Sequence, residues 1–571
     1  MSNVLPQHPG GTEGSTRKDG SVAVVVIAYN DAGLVAEAVR SALAQGPEVR
    51  EVIAVNDRSS DGTGRVLDEL AAAHTRVRVI HRTENSGGCG TPRNDGIAAA
   101  TAPYVLFLDS DDVLAQGAVT ALLRAAREHG APVTVGACVR RELPQQHDVP
   151  WVPGLYRAAP TVVERPADMP ELVRDTLCVN KLYERSFLDE HAIRFPDGRF
   201  VYEDFVFTAQ VLAAAPRIAV VPDLVYVWHV RRSAAQVSIS LDRKDIGNWR
   251  ARVEAHRRAV EILRGSGAPQ AETLVHACRV KFLEYDLRMY LRELGTDPGY
   301  QAEWWTLTRT YLEGFEPAEI AAADAPARWI VNVLRATDTP PADVDRLVRF
   351  AADPPRLVPP YARAADGTAV WSEALPGAVL DGLDELPPAA LPVTADGELL
   401  TGIDGQVKVR LHDLYGRLAA ARPRTARLEF SARRGDEPTV ARPVALTPQE
   451  DGTWTALLPV GLTALASAGR RGGRRGLQIW DVRLRVECEE GGSLLAALRC
   501  TGNRLSRRAV PSRRYGVLLV QSYATSSGSL ALRLAPGMHG VVSLLRNRLD
   551  RARMARAARG TAGRTGHGSN E

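Results

Sequence analysis

The residues able to do chemistry in this sequence gather in two acidic runs. The first is Asp109-Ser110-Asp111-Asp112, which closes the apolar run Tyr104–Leu108. Three acids in four residues repel one another, so folding alone does not select them. A hard divalent cation such as Mg²⁺ or Mn²⁺ offsets that repulsion, because such ions take oxygen ligands. The plainer reading is an acidic turn in which Asp111 or Asp112 caps the next helix. The second run is Glu203-Asp204, heading the apolar segment FVFTAQVL. Adjacent carboxylates partly withdrawn from water raise one pKa toward a value useful to a general base. The alternative is an acidic first turn that complements the helix dipole.

The elements that must position these acids follow a regular order. Tyr104–Leu108 reads as a strand buried on both faces, as in a parallel sheet. Before it come a strand at Val22–Ile27, a helix at Leu34–Ala44 with Asp31 as its N-cap, and a strand at Val52–Val55. A helix at Gly64–Ala73, a strand at Val77–Ile80 and a Gly-rich loop, Asn85–Asn94, running into a helix through Ala100 complete the series. Alternating strands and helices predict a doubly wound α/β sheet, which binds ligands at the carboxyl ends of its strands. The loop GGCGTPRNDG does not match G-x-G-x-x-G and follows the third strand, so it is not a dinucleotide fingerprint.

Four motifs in order, VVVIAYN, VNDRSSDGT, ENSGGCGTPRNDGI and PYVLFLDSDD, resemble those of the family-2 glycosyltransferases of GT-A fold. Asn180-Lys181-Leu182-Tyr183, FPDG at 195–198 and Tyr202-Glu203-Asp204 agree with that pattern, and the resemblance covers about residues 21–235. Within the family the region looks most like the enzymes that glycosylate wall teichoic acid, which add a helical linker and C-terminal β modules.

The resemblance implies an inverting transfer of a sugar, with N-acetylglucosamine the best guess, from a UDP-sugar. The acceptor is a hydroxyl of a cell-envelope polymer or polysaccharide, such as a teichoic-acid-like polyol phosphate. Asp109 and Asp111 would form the D-x-D that holds Mn²⁺ or Mg²⁺ against the diphosphate, and Ala28, Asp57, Asn85, Arg93 and Ser110 would line the nucleotide-sugar site. Arg93 also has a physical rationale, since a guanidinium grips phosphate in a bidentate way. Asp204, paired with Glu203, would take the proton from the acceptor hydroxyl. Lys181 is a candidate cation near the diphosphate or acceptor, its alternative being a surface helix lysine. Trp228, His229 and Arg231 resemble a segment that closes over the donor, where His229 would complete the metal shell or serve a structural role after a strand. The rival readings are a nucleotidyltransferase, against which Ala28–Gly33 lacks basic residues, and a glycan-binding protein with a degenerate transferase domain.

The 571 residues carry a formal charge of +4 and are 45% hydrophobic, which suits a soluble globular protein of roughly three domains. Of 71 basic residues only Lys18, Lys181, Lys244, Lys281 and Lys408 are lysine, so arginine clusters carry less information here. The six cysteines show no CxxC pair and read as reduced thiols of a cytoplasmic protein. The first 20 residues hold no apolar core of signal-peptide length and no run of about 18 apolar residues occurs, so neither a signal peptide nor a transmembrane helix is expected. The expected organisation is a disordered tail at 1–20, a GT-A catalytic domain at 21–240, a helical linker region at 241–360, an antiparallel β-sandwich-like domain at 375–535, and a basic tail at 540–571. The β domain would bind or oligomerise. Arg470, Arg471, Arg474 and Arg475, then Arg507, Arg508, Arg513 and Arg514, form two basic clusters. The tail adds Arg546, Arg548, Arg551, Arg553, Arg556 and Arg559 among apolar residues, which suits an anionic membrane face or polyphosphate polymer. Aromatic interleaving for nucleic acid is absent.

Overall fold

A computed structural model describes residues 22–143, 147–156, 159–231, 243–268, 271–295, 297–400, 404–432, 439–471, 476–490, 492–501, 508–525 and 527–537. Both tails, Arg474, Arg475 and Arg507 therefore lie outside the described residues. The chain divides into two compact units, Met1–Asp242 with Arg250–Arg279, and Arg243–Trp249 with Val280–Glu571.

The first unit is built around β1 (Val22–Ala28), in which every residue is buried. Four of its seven residues are β-branched valines and one is isoleucine, which suits a strand covered on both faces. It pairs in parallel with β2 (Val49–Asn56) on one side and, on the other, with a strand numbered β4 below. Helix α1 (Val35–Leu43) buries Val35, Ala38, Val39 and Ala42, the spacing of one helical face. Next come α2 (Thr63–Ala73), β3 (Val77–His81), α3 (Gly90–Ala99) and β4 (Tyr104–Asp109). Then follow β5 (Val113–Leu114), α4 (Ala118–His129), β6 (Val133–Leu143), β7 (His147–Pro150) and β8 (Thr161–Val163). The unit continues through β9 (Lys181–Glu184), α5 (Arg185–Glu190), α6 (Glu203–Ala214) and β10 (Ile218–Arg231). The sheet order is β3-β2-β1-β4-β9-β6-β10-β5, parallel from β3 to β4 and mixed beyond, where β9 runs antiparallel to both its neighbours.

Helix α3 lies flush on β1 because Gly96 faces Val25, where a Cβ would stand 2.2 Å from Val25 Cγ1. Six residues earlier, Gly90 faces the Pro196 carbonyl at 2.3 Å from the position of a Cβ. Between these two close approaches sits Arg93. Residues 250–279, expected in a separate linker, instead belong to the first unit. Ala259, Val260, Leu263, Leu274, Val275 and Cys278 are buried in its core, since an apolar stripe is stable only where it is covered.

The second unit begins helical. Trp249 stacks near Phe282 and Trp304, with ring centroids 5.6 and 5.8 Å apart, and its indole N–H donates to Thr308 Oγ1 at 3.0 Å. Helix Pro298–Leu312 is capped by Asp297, which accepts from Gly299 N at 2.9 Å. Helices at Pro317–Ala322, Ala325–Ala336 and Val344–Phe350 follow.

A three-stranded sheet at 362–379 leads into a larger one. Its order is Thr447–Pro448, Thr453–Pro459, Gln406–His412, Ala395–Leu400, Ser493–Cys500, Gln478–Cys488, Leu530–Pro536, Gly516–Ala524 and Arg508–Ser512. The antiparallel architecture expected from the alternating pattern is present, with one departure among the described residues. Ala395–Gly397 pairs in parallel with Leu498–Cys500. Ser493–Cys500, SLLAALRC, has helix-forming composition and is held extended by pairing on both sides. Among the described residues no helix is long and apolar enough to cross a membrane.

Candidate functional site

Strands β1, β2 and β4 end side by side, with Ala28 opposite Asn56 and Ile27 opposite Asp109. This is where the sequence-predicted acids and the nucleotide-lining residues meet. Asp57 N donates to Ala28 O at 2.9 Å, and Ser110 N donates to Ile27 O at 3.1 Å. Ser110 Oγ donates to the carboxylate of Asp31. Asp31 is therefore not the side-chain cap of α1; its carbonyl starts the turn while its carboxyl group faces β4. Burial raises the Asp31 pKa, against the lowering effect of the Ser110 bond.

Arg93 is the hub. It is 2% exposed, and its Nη2 donates to Asp109 Oδ1 at 2.7 Å. Its Nη1 donates to Glu203 Oε1 at 2.6 Å and to Asp204 Oδ1 at 3.1 Å. The guanidinium carbon lies 5.3 Å from the centre of the Phe195 ring. That ring stacks on Phe207 at 4.0 Å and meets Phe107 edge-on at 5.3 Å. An aromatic floor contributed by β4, α6 and the loop before it thus keeps water from one side of the cation. The sequence reading gave Arg93 to the phosphates. Here its two terminal nitrogens donate to three carboxylates from two segments, so it ties the two acidic runs together, while its Nε is buried without an acceptor.

Glu203 and Asp204 open α6, preceded by Tyr202 in the left-handed region at φ 67°. The Arg252 guanidinium covers Tyr202 and Phe205, at 4.5 and 4.1 Å from the ring centres. Burial, then repulsion from Asp204, pushes the Glu203 pKa up to about 7, with Arg93 opposing. Burial also raises Asp204, against Arg93 and against hydrogen bonds from the Cys178 thiol and backbone. Cys178 escaped the sequence reading, since nothing local marks a lone buried thiol.

The metal candidates divide. Asp112 is neither helix cap nor free ligand. Its Oδ2 accepts from Tyr226 Oη at 2.7 Å and its Oδ1 from His229 N at 2.7 Å, which pins β10 to the acidic turn. Tyr226 was also missed, since only the pairing of distant strands brings it here. Asp111 remains half-exposed, its pKa pushed up to about 6 by burial and by the charges of Asp109 and Asp31. His229 lies within β10 rather than after it, and its Nδ1 stands 3.1 Å from Asp111 O. A carbonyl only accepts, so Nδ1 carries the proton and Nε2 keeps its lone pair. Burial lowers the His229 pKa, which favours the neutral ring that ligates metals. Arg231 Nη1 donates to Asp111 O at 2.9 Å.

Among the described residues no three His, Cys, Asp or Glu side chains close into a cage for a metal ion. The crowding that raises Asp111 is nonetheless the kind a cation relieves. Mg²⁺-like ions commonly take one or two carboxylates and complete their shell with water and substrate phosphate. The donor set fits that open mode.

The remaining assignments come out unevenly. The Asp57 carboxylate receives Ser86 N at 3.0 Å, Ser86 Oγ at 2.7 Å and Asn85 Nδ2 at 3.0 Å, and pairs with Arg82 Nε at 2.9 Å. It anchors the Gly-rich loop through Asn85. Lys181 is neither a surface helix residue nor available to a diphosphate. It sits buried in β9, its ammonium donating to Asp175 Oδ2 at 2.8 Å, Asn180 Oδ1 at 2.9 Å and Leu177 O, which exhausts its three protons. Asp175 also accepts from Tyr156 Oη and Trp151 Nε1. Trp228 packs edge-on against Trp151, with centroids 6.0 Å apart, and so belongs with that buried network.

Residues 23–191 match the model of glycosyl transferase family 2. The chain is 31% identical over 224 residues to a poly(ribitol-phosphate) beta-glucosyltransferase of Bacillus spizizenii, covering 38% of this chain and 34% of the relative. It is 27% identical over 219 residues to the poly(ribitol-phosphate) beta-N-acetylglucosaminyltransferase TarS of Staphylococcus aureus, covering 38% of this chain and 36% of the relative. The match thus spans about a third of the length of each relative. A crystal structure of S. aureus TarS aligns with a TM-score of 0.51 at 17% identity, over 90% of this chain and 85% of that one. That likeness is one of fold, and it spans both the α/β unit and the β-rich half.

Proposed function

We propose that this chain, whose residues 23–191 match glycosyl transferase family 2, is an inverting glycosyltransferase acting on a UDP-sugar. The observation that carries the reading is the Arg93 bridge, which joins Asp109, at the carboxyl end of β4, to the Glu203-Asp204 pair. In this reading the donor lies across the ends of β1, β2 and β4, between Ala28, Asn85, the loop fixed by Asp57, and Ser110. Asp109, Asp111 and His229 Nε2 are the groups offered to Mn²⁺ or Mg²⁺, which when bound neutralises charge on the departing diphosphate. Asp204 accepts the proton of the acceptor hydroxyl, while Glu203, competing for the same Arg93 Nη1, keeps the pair's proton affinity near neutrality. Base and leaving group on opposite faces give inversion at the anomeric carbon.

The acceptor is proposed as a hydroxyl of a polyol phosphate polymer, and the sugar as N-acetylglucosamine. In support, the two sequence relatives are named for poly(ribitol-phosphate), and one of them for N-acetylglucosamine. The basic tail is proposed to meet an anionic polymer or the inner membrane face, and the β module to mediate self-association. The test is transfer of labelled sugar from UDP-glucose and UDP-N-acetylglucosamine to poly(ribitol phosphate), with Mn²⁺ and with EDTA. Asp204→Asn is expected to lose about 10³-fold in turnover while still binding UDP. Full activity in that variant, or no transfer from either donor, refutes the reading.

A further inference from the structure

Arg356 lies in the Pro-rich segment DPPRLVPP that follows the helix Val344–Phe350. It is 1% exposed, one of the largest fully buried side chains of the protein. Its Nη2 donates to Ser527 O at 2.7 Å and to Ser529 Oγ at 3.1 Å, while its Nε is buried without an acceptor. Among the described residues no carboxylate stands within ion-pair reach of it. Other arginines of the same unit differ. Arg346 pairs with Asp343 at 2.9 Å, and Arg288 with Asp324 at 3.3 Å.

The neighbouring charges deepen the imbalance. Burial first, then the positive charges of Arg499 and Arg349, bring the Arg356 pKa down to about 10. The one acid nearby, Asp396, is already held by Arg499 Nε and Nη2 at 2.5 and 2.9 Å and by His412 Nε2 at 2.8 Å. Three guanidiniums therefore answer to one carboxylate. Hydroxyls cluster beside them. Thr525 Oγ1 lies 2.9 Å from Ser527 Oγ, which lies 3.1 Å from Ser529 Oγ. A buried cation without a counter-charge is costly, and folded proteins pair such groups. Guanidinium forks and hydroxyl donors together match a tetrahedral oxyanion. Ser527 and Arg349 are exposed, so such an anion has a route from solvent.

We propose that Arg356, with Arg349, Arg499 and the Ser527 and Ser529 hydroxyls, binds one phosphate group, that of a phosphodiester in an anionic acceptor polymer. The phosphate site stands on its own; identifying its source as the acceptor rests on the function proposed above. It would hold the polymer at the β-rich half of the chain.

The test is calorimetry on the full chain with its donor site saturated by UDP and Mn²⁺. Diglycerol phosphate (a diester), inorganic phosphate and chloride at matched ionic strength are titrated in turn. One diester per chain is expected, weakened about tenfold by Arg356→Gln and several-fold by Ser529→Ala. Heat no greater than that of chloride, or equal affinity in Arg356→Gln, overturns the site. Binding of inorganic phosphate but not the diester overturns the polymer assignment. Should Arg356→Gln fail to fold by circular dichroism, Ser529→Ala and the exposed Arg349→Gln decide, and unchanged affinity in both overturns the proposal. Turnover is not needed for this assay. A chain that binds diester yet transfers no sugar keeps this site and refutes the proposed reaction.

Discussion

Arg93 Nη1 stands 2.6 Å from Glu203 Oε1 across 110 residues of sequence, and the same guanidinium holds Asp109 through its other terminal nitrogen. A lysine has one charged nitrogen and cannot fork between two segments. Arg93→Lys is therefore expected to keep the fold and lose about 100-fold in kcat/KM, because donor and base sites lose their fixed separation. Arg93→Met leaves three carboxylates without their cation and is expected to destabilise the first unit by about 3–5 kcal/mol, measured by urea unfolding.

The acid pair sets a pH profile. Burial pushes Glu203 up to about 7 and raises Asp204 above its ordinary value, so turnover is expected to rise with pH as the pair loses its proton. Stability runs the other way. A carboxyl group whose folded pKa exceeds its unfolded value contributes stability that is complete below about 4.5 and is lost as pH rises through about 7. Thermal melts of wild type and Glu203→Gln at pH 5 and pH 8 check the sign, since the wild type should lose ground to the variant at the higher pH.

Asp111 should govern metal affinity. With its proton held to about pH 6, Mn²⁺ measured by electron paramagnetic resonance in the presence of UDP is expected to bind weakly at pH 5 and well at pH 7.5. Asp111→Asn should bind weakly at both. An unchanged affinity in that variant would remove Asp111 from the metal site.

Lys181 supplies a contrast between stability and catalysis. Lys181→Met strands the buried Asp175 carboxylate and is expected to cost about 3–5 kcal/mol in urea unfolding. UDP affinity of the folded protein should stay at the wild-type value. A loss of affinity with unchanged stability would return Lys181 to the donor site.

Gly96 sets how closely α3 approaches β1. A Cβ there falls 2.2 Å from Val25 Cγ1, so Gly96→Ala should destabilise by about 1–3 kcal/mol, read from thermal unfolding.

The sequence was legible where chemistry coincides with a local pattern. Asp109 to Asp112 end a buried strand and Glu203-Asp204 open an apolar helix, so both positions can be read from their neighbours. The structure brings these runs together with Ala28, Asp57, Asn85 and Ser110 at the carboxyl ends of the sheet's interior strands. Lys181 and Trp228 read as site residues because they lie in segments of familiar look. What decides them is packing among Trp151, Tyr156 and Asp175, which has no periodicity along the chain. Asp31 shows the same limit, since a polar residue before a helix reads as a cap until a neighbouring strand brings Ser110 to it. In the β-rich half, Ser493–Cys500 is extended only because strands on both sides hold it, so composition alone misassigns it.

The parallel pairing of Ala395–Gly397 with Leu498–Cys500 has a consequence for how the chain is made. Asp396 and Arg499 are 103 residues apart, so a ribosome-bound chain presents the first strand with one open edge until nearly all of the β-rich half has emerged. An unpaired strand edge is a template for association with other chains, and closing so long a loop is slow. Expression truncations ending between these two strands should therefore aggregate. The natural cut sites for isolating this half lie outside the interval they enclose.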